Sequence, residues 1–564
     1  MNIKDILTNT FGYTPNSIHD FTLPISSNEP DQTSYQDNEH KKEELKKIFD
    51  ILSVNSDYIN SKYNLSINSD IVTRNFILNA RSKQYNAMLL YIDGMTDAKM
   101  LNDFVLNPLM LRNKNNLFEG DQNRIISEAV TNNIVVRKVK KFDLADYIQS
   151  CLLPQNNVKQ LSLFKDVFHS VNSGNCVLFV DTLSVCFDID IKGFKQRSIS
   201  KPENEMVIKG SHEAFVENLR TNTSLLRRMT NSENLIIEKT TIGKITQTNC
   251  AICYIQNIVN NDLVNEVKYR LNNLGVDSLL SAGELEQLLT DTNFLVIPKI
   301  LVTERPDNAV RHLLEGRVIV LVNGSAYALI MPAILVDFLT SPEDYNLKTL
   351  YSNFLKVIRL IAAFFTLLLP GLYIAATGFH REIIPSALMY TILAARESVP
   401  FPIIFEIAIM ELSFEIIREA GLRVPSPIGP TLGIVGALVL GQAAVSAGIV
   451  SPILIIIVAI TGISSFAIPD FTFSFHLRYY RFAFIILGFI SGFLGIGVGI
   501  FIYISALADI KSFGVSYTAP YSPIIKNKNN PYFLSPIWRR EYRNEFLASK
   551  RKKQQEDISM KWRY

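Results

Sequence analysis

The chain has 564 residues, of which 19% are charged, and a formal net charge of +3. A chain of this length is expected to form about two to four domains, and its near balance of charge argues against a nucleic-acid-binding or disordered protein. The average conceals an asymmetry: residues 1–356 are mostly of soluble character, residues 357–507 are very apolar, and residues 525–564 are basic.

Residues 1–70 are predicted to form a mobile, polar leader with one helix over 40–52, where apolar residues recur at helical spacing. The N-terminus has no basic stretch followed by an apolar core and a cleavage site, so we expect no secretory signal. The five cysteines are odd in number, which favours reduced thiols over a disulfide framework. Cys250 and Cys253 form a lone CxxC inside an apolar strand and are expected to be buried rather than to bind zinc.

Residues 71–200 and 201–345 alternate between strand-like and helix-like runs, which predicts two α/β subdomains. In the first, a hairpin is expected around Asp181, and Thr96 or Asp97 is expected to cap a helix. In the second, Pro306 is expected to begin a helix, and Asn323-Gly324 between two apolar runs predicts a hairpin. No internal repeat is recognisable in the sequence.

Residues 346–520 are predicted to form a helical membrane domain, because this region contains four apolar runs whose lengths are close to the roughly 20 residues of a membrane-spanning helix. These runs lie at 357–379, 429–447, 449–469 and 482–507. The run 383–395 is too short and predicts a helix that does not cross.

Residues 401–420 combine isoleucine and phenylalanine with four glutamates, a pattern typical of an amphipathic helix that lies on a membrane or lines water. Glu411, Glu415, Arg418 and Glu419 share one stripe of this helix, and Glu406 lies off it. We consider Glu406, Glu411, Glu415 and Glu419 as candidates for an ion funnel. The alternative is that Glu415 pairs with Arg418, three residues away, and that the other charges reach the interface.

Residues 521–564 form a predicted basic, cytosolic tail. Residues 525–564 hold eleven Lys and Arg against four acids, a net charge of +7, and positive segments remain on the cytoplasmic side. With the N-terminal part also cytosolic, the number of crossings must be even, and the four long runs satisfy this condition.

The stretch from 429 to 447 is the candidate for a gate. Gly429, Gly433, Ala437 and Gly441 recur every four residues and form a face for close helix contact. Ile434, Leu438 and Val439 would narrow a path that closes by dewetting, and Gln442 places an amide near the end of the helix. The alternative is plain helix packing within a bundle.

No catalytic or nucleotide-binding signature is present in its required context, so we expect no enzyme activity, no cofactor and no metal. Arginines are concentrated in two soluble segments, where they are candidates for subunit contacts or anion binding. They are Arg220, Arg227, Arg228, Arg305, Arg311 and Arg317. The alternative, which we favour for the second segment, is a charged helix face that is solvated or docked on a neighbour.

Several long motifs resemble the A subunit of GerA-type spore germinant receptors. They include "RLIAAFFTLLLPGLYIAATGFHREIIPSAL", "AARESVPFPIIFEIAIMELSFEIIREAGLRVPSPIG", "GIVGALVLGQAAVSAGIVSP" and "TERPDNAVRHLLEGRVIVLVNG", and the resemblance extends over roughly residues 200–525. It implies a protein of the inner membrane of a bacterial endospore. It also implies a transporter-like B subunit, a lipoprotein C subunit, and a homo-oligomeric ring that conducts monovalent cations when a germinant binds.

The sequence therefore predicts a multi-domain integral membrane protein, with two N-terminal cytosolic α/β subdomains followed by an all-α membrane domain. Both termini are expected to face the cytoplasm or spore core, and no nucleic-acid partner is expected. Two alternatives to a germinant-gated channel stay open. One is a non-conducting signalling or scaffold subunit, and the other is a secondary transporter, which often contains internal repeats.

Overall fold

The computed structural model describes residues 21–23, 46–80, 83–111, 143–193, 202, 204–291, 295–423, 441–525 and 530–555. All structural statements below concern these residues. Side chains at 111, 422 and 423 are outside the description.

The first α/β unit, here called subdomain 1, has an antiparallel sheet with helices on both faces. Its five strands lie in the order β1-β2-β4-β5-β3. Apolar side chains fill one cluster on each face of the sheet. Its elements are α1 (Leu52–Tyr63), β1 (Ile71–Ala80), β2 (Lys83–Ile92), α2 (Ala98–Met100 continuing through a π-helical Leu101–Leu106 to Asn107–Leu111), α3 (Leu144–Tyr147 continuing as π-helical Ile148–Leu152), β3 (Val158–Leu161), α4 (Phe164–Asn172), β4 (Cys176–Val180) and β5 (Cys186–Ile189).

The second unit, subdomain 2, has five antiparallel strands in the order β6-β7-β9-β10-β8. The predicted Asn323-Gly324 hairpin is confirmed, because β9 and β10 pair in antiparallel register on either side of it. Its elements are α5 (Leu219–Thr230), β6 (Leu235–Ile242), β7 (Thr248–Ile255), α6 (Asn261–Asn272), α7 (Ala282–Leu289), β8 (Leu301–Thr303), α8 (Pro306–Glu315), β9 (Val318–Val322), β10 (Ala328–Met331) and α9 (Leu335–Phe338).

Local predictions are confirmed where a single residue type dictates the geometry. The Asp97 carboxylate accepts hydrogen bonds from the backbone N–H groups of Lys99 and Met100 and caps α2. Pro306 occupies the first turn of α8. Cys250 and Cys253 are buried, free thiols in β7.

The two subdomains are structural repeats of each other, which the sequence did not reveal. Each follows the order helix, two strands, two helices, strand, helix, two strands, and the strand orders correspond one to one. An asparagine near the start of each first helix makes the same pair of bonds. Asn55 accepts from the N–H of Phe49 at 3.0 Å and donates to its carbonyl at 2.7 Å. Asn222 does the same to Val216, at 2.9 and 2.6 Å.

The last hairpin of each subdomain repeats a second arrangement. Asp181 and Asn323 each accept, through the side chain, the N–H of the first residue of α1 or α5, at 3.1 and 3.2 Å. The next residue, Thr182 or Gly324, has a positive φ of 74° or 87° and donates its N–H back to the chain that precedes the helix. Since hydrogen bonds and turn conformation both correspond, the repeat extends to atomic detail.

The repeat also explains an error in the predicted leader. Residues 46–50 are not helical, because Ile48 donates its N–H to Ser162 and joins the edge of subdomain 1. The helix begins instead at Leu52 and packs as α1 on the sheet. Part of the region assigned to the leader therefore belongs to subdomain 1.

The C-terminal half is helical. Its helices are α10 (Thr349–Gly378), α11 (Ser386–Arg396), α12 (Ile403–Arg423), α13 (Pro452–Phe466) and α14 (Phe471–Asp509). Residues 441–446 are also helical. Among the described residues, α10 and α14 are long and apolar enough to cross a membrane.

Helix α14 is a hairpin of two helices rather than one span. Gly492 has φ 60° and ψ −140°, which breaks the helix. His476 and Tyr503 are joined by a hydrogen bond of 2.8 Å between Nε2 and the hydroxyl, although 27 residues of straight helix would separate them by about 40 Å. The predicted single run 482–507 is thus divided between two antiparallel helices, 471–491 and 493–509.

Close glycine contacts place the hairpin against α10. A Cβ added to Gly488 would lie 2.6 Å from the carbonyl oxygen of Gly371, so the backbones touch at this point. A Cβ on Gly492 would lie 2.9 Å from Cβ of Phe379, just beyond α10. The tip of the hairpin therefore lies at the end of α10 that is remote from subdomain 2.

Candidate functional site

The helical region contains a cluster of buried charges between α12 and α14. Glu411 and Arg481, exposed by only 1% and 2%, form an ion pair of 2.8 Å between Oε2 and Nη2. Glu415 bridges Arg478 at 2.8 Å and Arg481 at 3.1 Å, and Arg418 approaches Glu415 at 3.6 Å. One atom of the central pair on each side, Glu411 Oε1 and Arg481 Nε, lacks a partner among the described residues.

Burying charges is costly unless each has a partner, because the apolar interior does not replace their hydration. Helix geometry supplies the partners here. Glu411 and Glu415 are one turn apart on α12, and Arg478 and Arg481 are three residues apart on α14, so each pair lies on one helix face. The cluster consequently fastens α12 to the first half of the hairpin.

Glu406 belongs to a second buried site at the other end of α12. Its side chain has no solvent exposure and accepts from Arg396 at 3.0 Å. Its other oxygen accepts the N–H of Ser451 at 3.2 Å, just before α13. The carboxylate therefore joins the ends of three helices. Glu419 is exposed.

The arginines of α14 were missed by the sequence patterns. Arg478 and Arg481 stand in "HLRYYRFAF", at the start of an apolar run, where an arginine is commonly taken to reach the interface. The sequence feature that indicates their role is their spacing, which matches that of the glutamates of α12. This match can be recognised only once α12 and α14 are known to be neighbours.

Most of the candidate gate lies outside the described residues: Gly429, Gly433, Ile434, Ala437, Leu438 and Val439. Gly441 and Gln442 are described. Gly441 is buried, and a Cβ there would lie 3.4 Å from Cγ2 of Ile455 in α13. Gln442 is exposed.

Two of the six soluble arginines join subdomain 2 to subdomain 1, and a third pairs within subdomain 2. Arg227 is 1% exposed and binds Asp70 of subdomain 1 through Nε and Nη2 at 2.7 and 2.8 Å, with a further bond of 2.9 Å to Asn68. Arg220 pairs with Asp93, also in subdomain 1. Arg228 pairs with Glu213.

The other three arginines surround α8. Arg305, with no exposure, pairs with Asp307 at 2.8 Å and donates to the carbonyl of Ser211 at 2.9 Å. Arg317 pairs with Asp337 at 2.5 Å, and the Arg311 guanidinium lies 3.7 Å from the centre of the Tyr345 ring. All six arginines thus have partners within the chain.

A cleft of about 690 Å³ separates subdomain 2 from the helical region. Arg418 and Arg478 of the buried charge cluster lie at its helical wall, and Glu205 and Glu304 lie at its soluble wall. Burial raises the pKa of Glu205 to about 7, although Thr303 donates a hydrogen bond to its carboxylate. On the same side of subdomain 2, burial together with the nearby Asp470 carboxylate raises the pKa of Glu286 to about 7.

Among the described residues, no group of three or more His, Cys, Asp or Glu side chains is arranged to hold a metal ion. The geometry defines a protein in which two repeated α/β subdomains are attached to a helical region that is partly apolar enough to cross a membrane and that contains buried ion pairs.

A profile of the Bacillus/Clostridium GerA spore germination proteins matches residues 57–546. The chain therefore belongs to the GerA family of spore germination proteins, as its motifs predict.

Individual proteins are similar to this chain. The chain is 36% identical over 496 residues to spore germination protein KA of Bacillus subtilis (strain 168), covering 88% of this chain and 87% of that protein. It is 34% identical over 470 residues to the uncharacterized membrane protein YfkQ of the same organism, covering 83% and 86%. A crystal structure of the N-terminal domain of the A subunit of the Bacillus megaterium spore germinant receptor GerK3 is 28% identical, with a TM-score of 0.35, covering 52% of this chain and 98% of that one.

Proposed function

We propose that this chain is the A subunit of a nutrient germinant receptor and forms a ring that conducts monovalent cations in response to germinant. Membership of the spore germination family supports the receptor role. A B and a C subunit would complete the receptor, and the inner spore membrane would be its location.

The observation that carries the channel proposal is the buried charge cluster of Glu411, Glu415, Arg478 and Arg481. Ionisable residues inside a membrane domain commonly mark an ion path or a switching element. In this chain they join α12 to α14, and Arg478 also lines the cleft that faces the soluble subdomains. In the proposed open state these pairs would be exchanged or broken, which would change how α12 and α14 are held together.

The course of the helices supports an even number of crossings. Helix α10 and the first half of α14 run away from subdomain 2, whereas α12, α13 and the second half of α14 run back towards it. Helices α12 and α13 run in the same direction. The predicted run 429–447 lies between them and mostly outside the described residues, and we propose that it crosses in the opposite direction. With α12 and both halves of α14 counted as crossings, the proposed number is six rather than the predicted four, with both termini on one side.

In the proposed mechanism, germinant binding on the partner subunit shifts a closed ring to an open one. Ile434, Leu438 and Val439 form the gate, and the carboxylates of α12 concentrate cations near a mouth. Glu411 and Glu415 are paired with arginines in the single chain, so the funnel requires these pairs to open. Glu419, the fourth funnel candidate, is exposed.

Ion flux into liposomes that contain the purified receptor complex tests the gate. Leu438→Ala is expected to increase the flux without germinant, because the smaller alanine side chain leaves a wider constriction that admits water more readily. Leu494→Ala, at a position 72% exposed on α14, is the matched control and is expected to leave the flux unchanged. If Leu438→Ala changes neither the leak nor the germinant-triggered flux, the gate assignment is wrong.

The same measurement tests the funnel. Glu411→Gln combined with Glu415→Gln is expected to reduce germinant-triggered cation flux, while Glu545→Gln in the exposed part of the tail is expected to have no effect. An unchanged flux in the double variant would contradict the funnel.

A scaffold subunit without a pore is the second candidate, and one observation favours it. The carboxylates of Glu406, Glu411 and Glu415 all have arginine partners, as expected of a static clamp. Absence of flux from a complex that still binds germinant would support the scaffold. A transporter is less well supported, since the repeat in this chain lies in the soluble subdomains rather than among the membrane helices.

A further inference from the structure

The C-terminal tail returns to the base of α10. Lys356 donates from Nζ to the carbonyl of Tyr532 at 2.7 Å. Asn353 exchanges two bonds with Leu534: it accepts the N–H at 2.8 Å and donates to the carbonyl at 3.1 Å. These contacts fasten residues 532–534 alongside the first turns of α10.

The tail and the base of α10 together expose a large apolar patch. Tyr532 and Leu534 are buried against α10, which turns the alternate residue Phe533 outward, with 40% exposure. Ile537 and Trp538 follow, with 61% and 46% exposure. We call this the tail patch; it consists of Leu350, Tyr351 and Phe354 of α10 with Phe533, Ile537 and Trp538 of the tail.

The tail patch continues the outward face of the apolar helix. Leu350, Phe354, Val357, Ile361 and Phe364 are all at least 40% exposed and recur at three- and four-residue spacing, so they form one stripe along α10. The upper part of that stripe lies within the segment proposed to cross the membrane. The tail patch is therefore placed where the stripe leaves the hydrocarbon, at the level of the lipid headgroups.

Charge indicates which surface the patch meets. Lys348 and Arg539 are exposed beside it, and residues 525–564 carry a net charge of +7. The cytoplasmic leaflet of a membrane is negatively charged and attracts basic segments next to a crossing helix. Trp and Tyr are enriched at that depth because their rings are apolar and their polar atoms remain hydrated.

We propose that the tail patch binds the anionic lipid headgroup layer on the side of the membrane that faces the soluble subdomains. The tail then acts as a second, peripheral attachment that fixes the base of α10 and subdomain 2 to the membrane surface. This inference rests on the proposed crossing of α10 and is independent of whether the protein conducts ions.

The test uses the full-length chain in nanodiscs whose lipids are brominated near the headgroup end of the acyl chains. The chain has two tryptophans, so Trp562→Phe leaves Trp538 as the only one. We expect brominated phosphatidylglycerol to quench Trp538 roughly twofold, because an indole at the interface contacts the upper acyl chains. Lys348→Gln combined with Arg539→Gln is expected to weaken the quenching in phosphatidylglycerol and to leave it unchanged in phosphatidylcholine.

Two controls use a variant of the chain in which both native tryptophans are replaced. Phe364→Trp reports on the crossing helix and is expected to be quenched. Ile77→Trp, on the exposed edge strand β1 of subdomain 1, is expected not to be. If Phe364→Trp is not quenched, the crossing of α10 fails, and the proposal fails with it.

Two results overturn the inference about the tail patch while leaving the crossing intact. In both, Phe364→Trp is quenched by brominated lipid and Trp538 is not. If aqueous acrylamide then quenches Trp538, the patch faces water. If acrylamide also fails, the patch is covered by protein, such as a second copy of the chain.

Discussion

Subdomains 1 and 2 share one topology but bury their apolar side chains against different neighbours. The sheet of subdomain 1 is covered on both faces by its own helices, in two separate clusters. The cluster of subdomain 2 continues into the helical region, where it includes Leu367 of α10 and Phe473 and Leu477 of α14. One fold thus serves as a self-contained unit in the first copy and as the base of the helical bundle in the second.

The same difference appears in the buried charges. The alignment fixed by Asn55 and Asn222 places the exposed Asn60 of α1 opposite the buried Arg227 of α5. Arg227 binds Asp70 in the other subdomain, whereas Asn60 faces solvent. The buried guanidinium thus occurs in the copy that meets both neighbours, since it is tolerated only where a carboxylate can pair with it.

The largest expected effect comes from breaking the junction between the copies. Arg227→Met leaves the Asp70 carboxylate buried without its partner, and loss of one member of a buried pair costs about 3–5 kcal/mol. We expect the two subdomains to separate at lower urea concentration, measured by limited proteolysis of the full chain in detergent.

Arg220→Met is the matched control, because the pair of Arg220 with Asp93 is exposed on both sides and such pairs contribute about 1 kcal/mol or less. Adding Asp70→Leu to Arg227→Met is expected to restore much of the loss. Equal effects of the two arginine variants would show that the buried pair does not hold the junction.

A second effect is expected from pH and should be confined to subdomain 2. Burial raises the pKa of Glu205 to about 7 from an ordinary value of 4.5. Between these values the folded state holds a proton that the unfolded state has lost, so stability is highest below pH 4.5 and falls as pH rises to about 7. The loss of unfolding free energy linked to Glu205 is at most on the order of 3 kcal/mol, since each pKa unit corresponds to about 1.4 kcal/mol.

Glu205→Gln is expected to reduce this slope, measured as the urea midpoint of subdomain 2 across the pH range, and Glu205→Gln combined with Glu286→Gln to remove it, because burial raises the pKa of Glu286 to about 7 as well. Glu205 meets Thr303 and Glu304 at the end of β8. The corresponding residues of subdomain 1 are Leu161 and Ser162, neither of which is acidic. A slope of the same size in subdomain 1 would assign the pH dependence to other groups.

Asn55 and Asn222 make the same pair of backbone hydrogen bonds in the two subdomains, so their removal can be compared directly. Asn55→Ala and Asn222→Ala each remove two hydrogen bonds to the backbone that precedes the helix, and each is expected to lower the free energy of unfolding by about 1–3 kcal/mol. Hydrogen exchange of the amides of Phe49 and Val216, which lose their acceptor, is the direct measurement. If only one of the two variants destabilises its subdomain, the repeat is conserved in shape but not in energetics.

Short-range patterns of the sequence predicted the elements that depend on them. Pro306 at a helix start, Asn323-Gly324 in a hairpin and Asp97 at a cap act through neighbouring backbone, and the structure confirms all three. The buried pairs of α12 and α14 depend instead on which helices are neighbours.

The hairpin at Gly492 shows why the long apolar runs were harder to interpret. An apolar run of 26 residues satisfies the length of one crossing, and the five glycines within it do not argue against one, because glycine is frequent in membrane helices. The backbone conformation of Gly492 and the contact between His476 and Tyr503 distinguish a turn from a continuous helix. The repeat of the subdomains was missed for a related reason, because matching hydrogen bonds are made by different residues, such as Asp181 and Asn323.

The smallest expected effect separates the two hairpin turns. Thr182 and Gly324 occupy equivalent positions at φ 74° and 87°, a region that is strained for a β-branched residue and free for glycine. Thr182→Gly is therefore expected to stabilise subdomain 1, and Gly324→Ala to destabilise subdomain 2, each by about 1 kcal/mol. Urea midpoints of the two subdomains in one full-length chain measure both. Opposite signs are the signature of a shared backbone conformation, and a loss of stability in Thr182→Gly would mean that its hydroxyl or methyl group makes up for the strain.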